Sequence, residues 1–181
     1  MPARGIGQKT RVVEPLPKPR PELVAPVAST PSLYLYRDVL DEIRFNGAWR
    51  PDRVAGGLLV GEHYQDPETG VPFVEVEGFV AGAHCADTPD FIRHLRLQWK
   101  SSAATQRYHF PDSEVVGWFV ARQAAEAPPG QAELVLHNTF FGHAWQTGLW
   151  IVGDAEATAL QPRGDTFLTS PVGLMRGGRA R

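Results

Sequence analysis

The chain has 181 residues, 43% of them hydrophobic, and a formal net charge of −2. This length suits one domain with its own core, and the apolar content excludes a chain that is disordered throughout. No apolar run is long enough for a membrane helix, and charges occupy the N-terminal stretch where a signal peptide needs apolar residues, so we expect a soluble, cytoplasmic protein without a membrane span. The single cysteine, Cys85, excludes an intrachain disulfide and fits a reducing compartment.

Charge and proline are concentrated at the two ends of the chain. Residues 1–31 hold five Lys or Arg, two Glu and seven of the 16 prolines, and residues 171–181 hold three Arg and no acidic residue. This leaves 10 basic and 18 acidic residues in 32–170. Because proline fixes φ and removes a donor, we predict a Pro-rich, basic, extended or disordered arm and a Gly/Arg-rich tail. The acidic body makes nucleic acid an unlikely ligand and favours protein partners for the arms.

The first predicted element of the body is an amphipathic helix that begins at Ser32, a favourable N-cap, and ends near Phe45. Asn46 and Gly47 supply the expected stop. Its apolar residues recur at i, i+3, i+4 and i+7 and form one stripe, made by Tyr36, Val39, Leu40 and Ile43.

A hairpin follows the helix. The apolar run at 56–64 predicts one strand, the turn at 67–70 follows it, and alternating apolar and acidic residues at 73–80 predict the second strand. A loop at 81–89 then leads to a second helix from about Asp90.

The rest of the body alternates strands with one more helix. The predicted elements are a strand at 114–119, a helix at 131–141, an apolar strand at 147–153 and edge strands at 156–161 and 166–168. This order predicts a single α+β domain, with α/β/α layers around a mixed central sheet, between the two arms.

Three segments of the body resemble one known family. They are VAGGLLVG at 54–61, TPDF at 88–91 and VVGWF at 115–119, and they occur in the family's order and at similar spacing between Tyr36 and Leu168. The chain thus resembles the JAB/MPN (JAMM) domain, the fold of zinc-dependent deubiquitinating isopeptidases and of their inactive scaffold relatives. The resemblance implies an MPN-like sheet with flanking helices.

The resemblance also implies a degenerate metal site. Active members hold zinc with two histidines and an aspartate, and use a glutamate and a serine in the chemistry. At the glutamate position this chain has Val54, at the histidine positions Val120 and Arg122, at the serine position Gly130 and at the aspartate position Glu133. Valine has no lone pair and arginine is a permanent cation, so we expect no catalytic zinc, no cofactor and no enzymatic activity. The expected function is a non-catalytic scaffold or assembly subunit in a homo- or hetero-oligomer.

Two other functions remain open at this stage. Ligands displaced to His84, His137 or His143 would make a metal-dependent isopeptidase or hydrolase, although His84, Cys85 and Asp87 lie too close in sequence to form one tetrahedral site unaided. Cys85 itself is expected to be an inert thiol. Alternatively, the groove under the first strand accepts the C-terminus of a peptide or a ubiquitin-like protein by strand addition.

The candidate binding residues are aromatic side chains near the third helix, together with Arg122. Adjacent aromatics cannot both face inward from one helix end, so part of this cluster is expected to contact partners while the rest joins the core. The predicted binding residues are Phe140, Phe141, Trp145 and Arg122. Arg122 is predicted either to form a salt bridge with Glu133 in place of the metal or to lie free on the surface.

Overall fold

The computed structural model describes residues 14–48, 50–124 and 127–177. In this part of the chain, three helices and nine strands follow one another. In chain order they are β1 (Leu16–Pro17), β2 (Leu33–Leu35), α1 (Arg37–Ala48), β3 (Val54–Gln65), β4 (Pro72–Cys85), α2 (Thr88–His109), β5 (Glu114–Arg122), α3 (Gln131–Phe140), β6 (Thr147–Val152), β7 (Thr158–Arg163), β8 (Thr166–Pro171) and β9 (Gly173–Leu174). None of these helices combines the length and apolar content that crossing a membrane requires.

The strands form one mixed sheet in the order β8-β7-β6-β5-β3-β4-β2-β9, and β1 pairs with β3 beside this path. The β3–β4 hairpin and the β3–β5 pair are antiparallel. The β5–β6 pair is parallel, which requires a crossover, and α3 lies in that connection. The predicted mixed sheet with helices is therefore present.

The sheet is buried on both faces. One core cluster contains Val39, Leu40 and Ile43 of α1, packed with apolar side chains of the sheet. The other contains Phe91 of α2 and Leu136 of α3. Alternate residues of a strand point to opposite faces, so β5 contributes to both clusters. The layers are thus α1, the sheet, and then α2 with α3.

The first helix differs from the prediction at both ends. Ser32 is not an N-cap: its carbonyl accepts a hydrogen bond from Val74 N at 3.0 Å, and the next three residues form β2. These residues are fully buried between β4 and β9, and that long-range pairing overrides the helical pattern. At the other end the helix continues through Gly47, where a Cβ would lie 3.1 Å from Ala121 Cβ, so the glycine serves close packing rather than a stop.

The predicted loop at 81–89 was also wrong in its first half. β4 continues to Cys85, still paired with β3, and α2 begins at Thr88. Asp87 caps this helix, since its side chain accepts a hydrogen bond from Asp90 N at 2.8 Å. Within the continued strand, a Cβ at Gly82 would lie 2.6 Å from Gly56 O, so glycine allows two backbones to approach closely.

The remaining predicted strands have shifted ends. β5 extends three residues beyond the predicted end to Arg122, because the parallel pairing with β6 continues to Val152. β7 begins and ends two residues later than the edge strand predicted at 156–161. β8 begins where predicted, at Thr166, and ends three residues later. The predicted strand at 147–153 and helix at 131–141 each end one residue earlier.

Both predicted arms contact the body where the structure describes them. Residues 14–31 are extended, and Arg20 in this segment lies 2.9 Å from Asp66 and 3.0 Å from the Tyr34 hydroxyl. At the other end, β9 pairs with β2 and Met175 is 5% exposed. Residues 1–13 and 178–181 of the predicted arms lie outside the described part. The boundaries at 31 and 170 therefore do not separate a folded body from free tails.

Candidate functional site

Four of the five residues that the resemblance singled out meet around one open cleft. Val54, Arg122, Gly130 and Glu133 line this cleft, which has a volume of about 480 Å³. The fifth, Val120, is fully buried in the sheet and pairs with Gly56 and, on the other side, with Trp150. The wall of the cleft also includes Arg53, Ala86 and Trp150.

The ends of three elements position these residues. Val54 begins β3 and Arg122 ends β5, and the antiparallel pairing of these two strands brings the two ends to the same edge of the sheet. Residues 120 and 122 share one face of β5, and Trp150 of β6 lies opposite Val120. The Arg122 guanidinium consequently lies over the Trp150 ring, with 4.6 Å from Cζ to the ring centroid, in a cation–π contact.

A hydrogen-bonded network connects the cleft residues. The Thr88 hydroxyl donates to Glu133 Oε1 at 2.6 Å and accepts from Arg122 Nη2 at 3.2 Å. Arg122 Nη2 lies 3.9 Å from Glu133 Oε1, so the predicted salt bridge is present, although its closest link runs through Thr88. The other carboxylate oxygen, Oε2, accepts from Gly130 N at 2.8 Å at the start of α3. Both oxygens of Glu133 are thus engaged within the protein.

Burial shapes the electrostatics of this network. Glu133 is 6% and Thr88 2% exposed, while the Arg122 side chain keeps 23% of its surface in contact with solvent. Burial lowers the pKa of Arg122, and the charges of Glu133 and Asp87 oppose this effect. Arg122 Nε is buried and has no hydrogen-bond partner among the described residues. The cleft therefore contains a partly desolvated cation at its edge.

The salt bridge between Arg122 and Glu133 was predicted from the sequence, whereas the bridging role of Thr88 was not. Thr88 lies 34 residues from Arg122 and 45 from Glu133, so no local spacing links it to either. The available signal was the Asp-Thr-Pro sequence at the start of α2, in which Pro89 occupies the first turn and Asp87 provides the cap. That capping pattern fixes Thr88 at the start of the helix, facing α3.

The three histidines considered as displaced ligands do not meet. His84 Nε2 contacts Asn46 O at 2.7 Å. His137 is 2% exposed, and its Nδ1 accepts a hydrogen bond from Trp118 Nε1 at 3.1 Å. Burial lowers the pKa of His137 to about 4. His143 stacks on Trp145 with a centroid distance of 5.3 Å. Each histidine is thus held by a different partner in a different part of the protein.

Cys85 faces a histidine other than its sequence neighbour. Residues 84 and 85 point to opposite faces of β4, and the Cys85 sulfur lies 3.8 Å from Nδ1 of His94 on α2. Candidate ligand atoms of Cys85, Asp90 and His94 all lie within 4.8 Å of one another. Burial, and then the charges of Asp90 and Asp87, raise the pKa of the Cys85 thiol. The sequence signal for this group was the four-residue spacing of Asp90 and His94 on one helix.

The predicted aromatic contact residues are largely engaged within the protein. Phe141 is 4% exposed and packs in the core, as part of this cluster was expected to do. The backbone leaves the helix at this residue, with φ −119° and ψ 106°, and this change turns the ring inward despite the one-face limit of a helix. Phe140 stacks on Trp99 at 5.2 Å, and Trp145 stacks on His63 at 3.9 Å. Phe140 and Trp145 keep part of their surface exposed.

The proteins that this chain matches are solved structures with a similar fold. No family model and no curated protein matches the chain. Among solved structures, the protein DSY2949 from Desulfitobacterium hafniense has a TM-score of 0.59 at 16% sequence identity, covering 80% of this chain and 94% of its own. A protein from Salinibacter ruber has a TM-score of 0.48 at 17% identity, covering 82% of this chain and 95% of its own. The first likeness shows the fold alone.

Proposed function

We propose that this chain is a non-catalytic, MPN-like protein that acts as a scaffold or assembly subunit and binds protein partners. One observation carries the proposal. Four residues at positions that resemble the family's zinc site line a single cleft, and the network of Arg122, Thr88 and Glu133 lies in it. The cleft is thus open enough to hold a ligand, but a cation and a hydrogen-bonded carboxylate lie where the resemblance expects metal ligands.

The chemistry of the cleft supports binding over hydrolysis. A catalytic zinc needs three protein ligands and an open position for water. Val54 and Val120 have no lone pair to offer, so among the five positions only the Glu133 carboxylate, which already accepts two hydrogen bonds, could ligate a metal. A divalent cation beside Arg122 would also meet a like charge in a partly desolvated setting. The remaining use of the cleft is to hold a partner.

The same cleft favours a second, more specific candidate, a binding module for the C-terminus of a peptide or a ubiquitin-like protein. The guanidinium of Arg122 is positioned by Trp150 and Thr88, and Arg53 also lines the cleft. A preorganised guanidinium fork binds a carboxylate with two parallel hydrogen bonds. A terminal carboxylate would therefore bind next to Arg122.

Native mass spectrometry, followed by hydrogen exchange of any assembly, tests the scaffold proposal. We expect a dimer or a larger assembly, with slower exchange at the interface. An exclusively monomeric chain that captures no protein partner would contradict the proposal. Turnover of an isopeptide-linked ubiquitin-like conjugate, abolished by Glu133→Gln, would also overturn it, because that variant removes one carboxylate oxygen and leaves the size of the side chain unchanged.

Peptide titration followed by NMR tests the second candidate. We expect peptides with a free C-terminal carboxylate to perturb the cleft, and their amidated forms to bind at least about tenfold more weakly, since a bond between charged groups contributes about 1.5–3 kcal/mol. Arg122→Gln should remove this difference. Arg93→Gln is the matched control, because Arg93 is a largely exposed arginine on α2 that does not line the cleft. Equal binding of both peptide forms would exclude carboxylate recognition.

A further inference from the structure

Three side chains suited to metal binding meet where β4 ends and α2 begins. Cys85 is the last residue of β4, and Asp90 and His94 follow in the first two turns of α2. Residues four apart on a helix lie on the same side, so the carboxylate and the imidazole both face the end of the strand. In the part of the chain that the structure describes, this is the one group of three potential metal ligands.

The distance between the sulfur and the imidazole nitrogen in this group is close to that in a tetrahedral zinc site. Zinc binds sulfur at about 2.3 Å and imidazole nitrogen at about 2.0–2.1 Å, so a tetrahedral angle places these two ligand atoms about 3.6 Å apart. The Cys85 sulfur and His94 Nδ1 are 3.8 Å apart, and the candidate ligand atoms of all three residues lie within 4.8 Å of one another. We propose that Cys85, Asp90 and His94 bind a zinc ion.

The surroundings hold these groups in place without saturating them. Besides its approach to His94, the Cys85 sulfur has a weak contact, at 3.8 Å, with Ala83 O. Asp90 Oδ2 accepts a hydrogen bond from Ala86 N at 3.2 Å, an orienting contact of the kind that supports metal ligands. Asp90 Oδ1 accepts from Arg93 Nη2 at 2.5 Å, but the Arg93 side chain is 74% exposed and is free to turn away. Each carboxylate oxygen has two lone pairs, so Asp90 can still bind a metal beside these hydrogen bonds.

The donor set favours zinc among the common divalent cations. A thiolate, an imidazole and a carboxylate together are borderline in softness, which suits zinc and its spectroscopic substitute cobalt better than magnesium or calcium. Binding would release the thiol proton to solvent and leave the fourth position for water or an external ligand. This site is separate from Val54, Arg122, Gly130 and Glu133, which line the cleft, although Ala86, directly after Cys85, lies in the cleft wall. Zinc here would join β4 to α2 and stiffen that wall.

Cobalt titration of the metal-free full-length chain tests the proposal. We expect one cobalt ion per chain, a thiolate-to-cobalt charge-transfer band in the near ultraviolet, and loss of that band when zinc is added. His94→Gln and Asp90→Asn should each weaken binding by more than about 100-fold, because even the loss of an outer-shell partner costs about 10–100-fold. His109→Gln should bind cobalt like the unaltered chain, since His109 is an exposed histidine at the end of the same helix.

Two results would overturn the proposal. One is the absence of a thiolate band in saturating cobalt, and the other is a band that persists unchanged in both His94→Gln and Asp90→Asn. Cys85 is 1% exposed, so its replacement can also weaken the core. The two α2 variants, whose side chains are not buried, therefore decide the outcome, with circular dichroism confirming that they are folded. Zinc that remains bound after His94→Gln would indicate a metal elsewhere, and this distinguishes failure here from failure of the scaffold proposal.

Discussion

Replacing Thr88 with valine tests the network in the cleft, since valine keeps the shape of threonine and removes only its hydroxyl. That hydroxyl donates to Glu133 Oε1 at 2.6 Å and accepts from Arg122 Nη2 at 3.2 Å. A hydrogen bond to a charged group contributes about 1.5–3 kcal/mol, and leaving a buried acceptor unpaired costs about the same. The second bond involves a partly exposed guanidinium and adds little. We therefore expect the free energy of unfolding to fall by about 2–3 kcal/mol.

Urea denaturation of the purified chain measures this change, and the melting temperature should fall by about 5–10 °C for a domain of this size. Thr105→Val is the matched control, because the Thr105 hydroxyl is exposed on the same helix and donates only to Ser101 O. The control should change stability by less than about 0.5 kcal/mol. A double-mutant cycle with Glu133→Gln then isolates the pair. A Thr88→Val chain as stable as the control would refute the network.

Three further predictions concern other parts of the protein. Burial holds the pKa of His137 at about 4, below its usual 6.5, so the unfolded state binds the proton more readily. The free energy of unfolding should fall as the pH drops from about 6.5 to about 4, and this slope should flatten in His137→Gln; an unchanged slope would show that another group titrates. Deleting residues 1–31 should lower the melting temperature in a calorimetric scan, because Arg20 and β1 contact the body, and an unchanged temperature would show that these contacts contribute nothing. The third prediction tests the alignment with the JAB/MPN family by combining five replacements: Val54→Glu, Val120→His, Arg122→His, Gly130→Ser and Glu133→Asp. If the alignment is right, calorimetry should show a higher zinc affinity than that of the unaltered chain. A folded variant without added zinc affinity would count against the alignment.

The elements that could be predicted are those whose signal is local. The 3.6-residue period of α1 and the alternation in β4 both reflect one buried face, and the structure buries those faces. β2 and β9 were missed because each is three residues or shorter and is stabilised by partners far away in sequence. No local pattern encodes such pairing, and a short apolar run next to a helix resembles its first turn.

In the candidate site, too, some contacts could be predicted from the sequence and others could not. The salt bridge between Arg122 and Glu133 could be predicted, because the family resemblance placed both residues in one groove. The bridging role of Thr88 and the approach of His94 to Cys85 could not, since both depend on how α2 crosses the end of the sheet. The sequence suggested His84 as the histidine nearest to Cys85, and a site there was not expected; adjacent strand residues face opposite sides, so their side chains do not meet.

The position of β2 between β4 and β9 has a consequence for synthesis on the ribosome. Tyr34 of β2 pairs with Glu75 on one side and with Gly173 on the other. The first partner emerges early in translation, whereas the second emerges only near the end of the described chain. Throughout the interval, the outer edge of β2 exposes unpaired backbone groups that can pair with other nascent chains. Slow translation of the last strands would therefore prolong the period in which this protein is prone to aggregate.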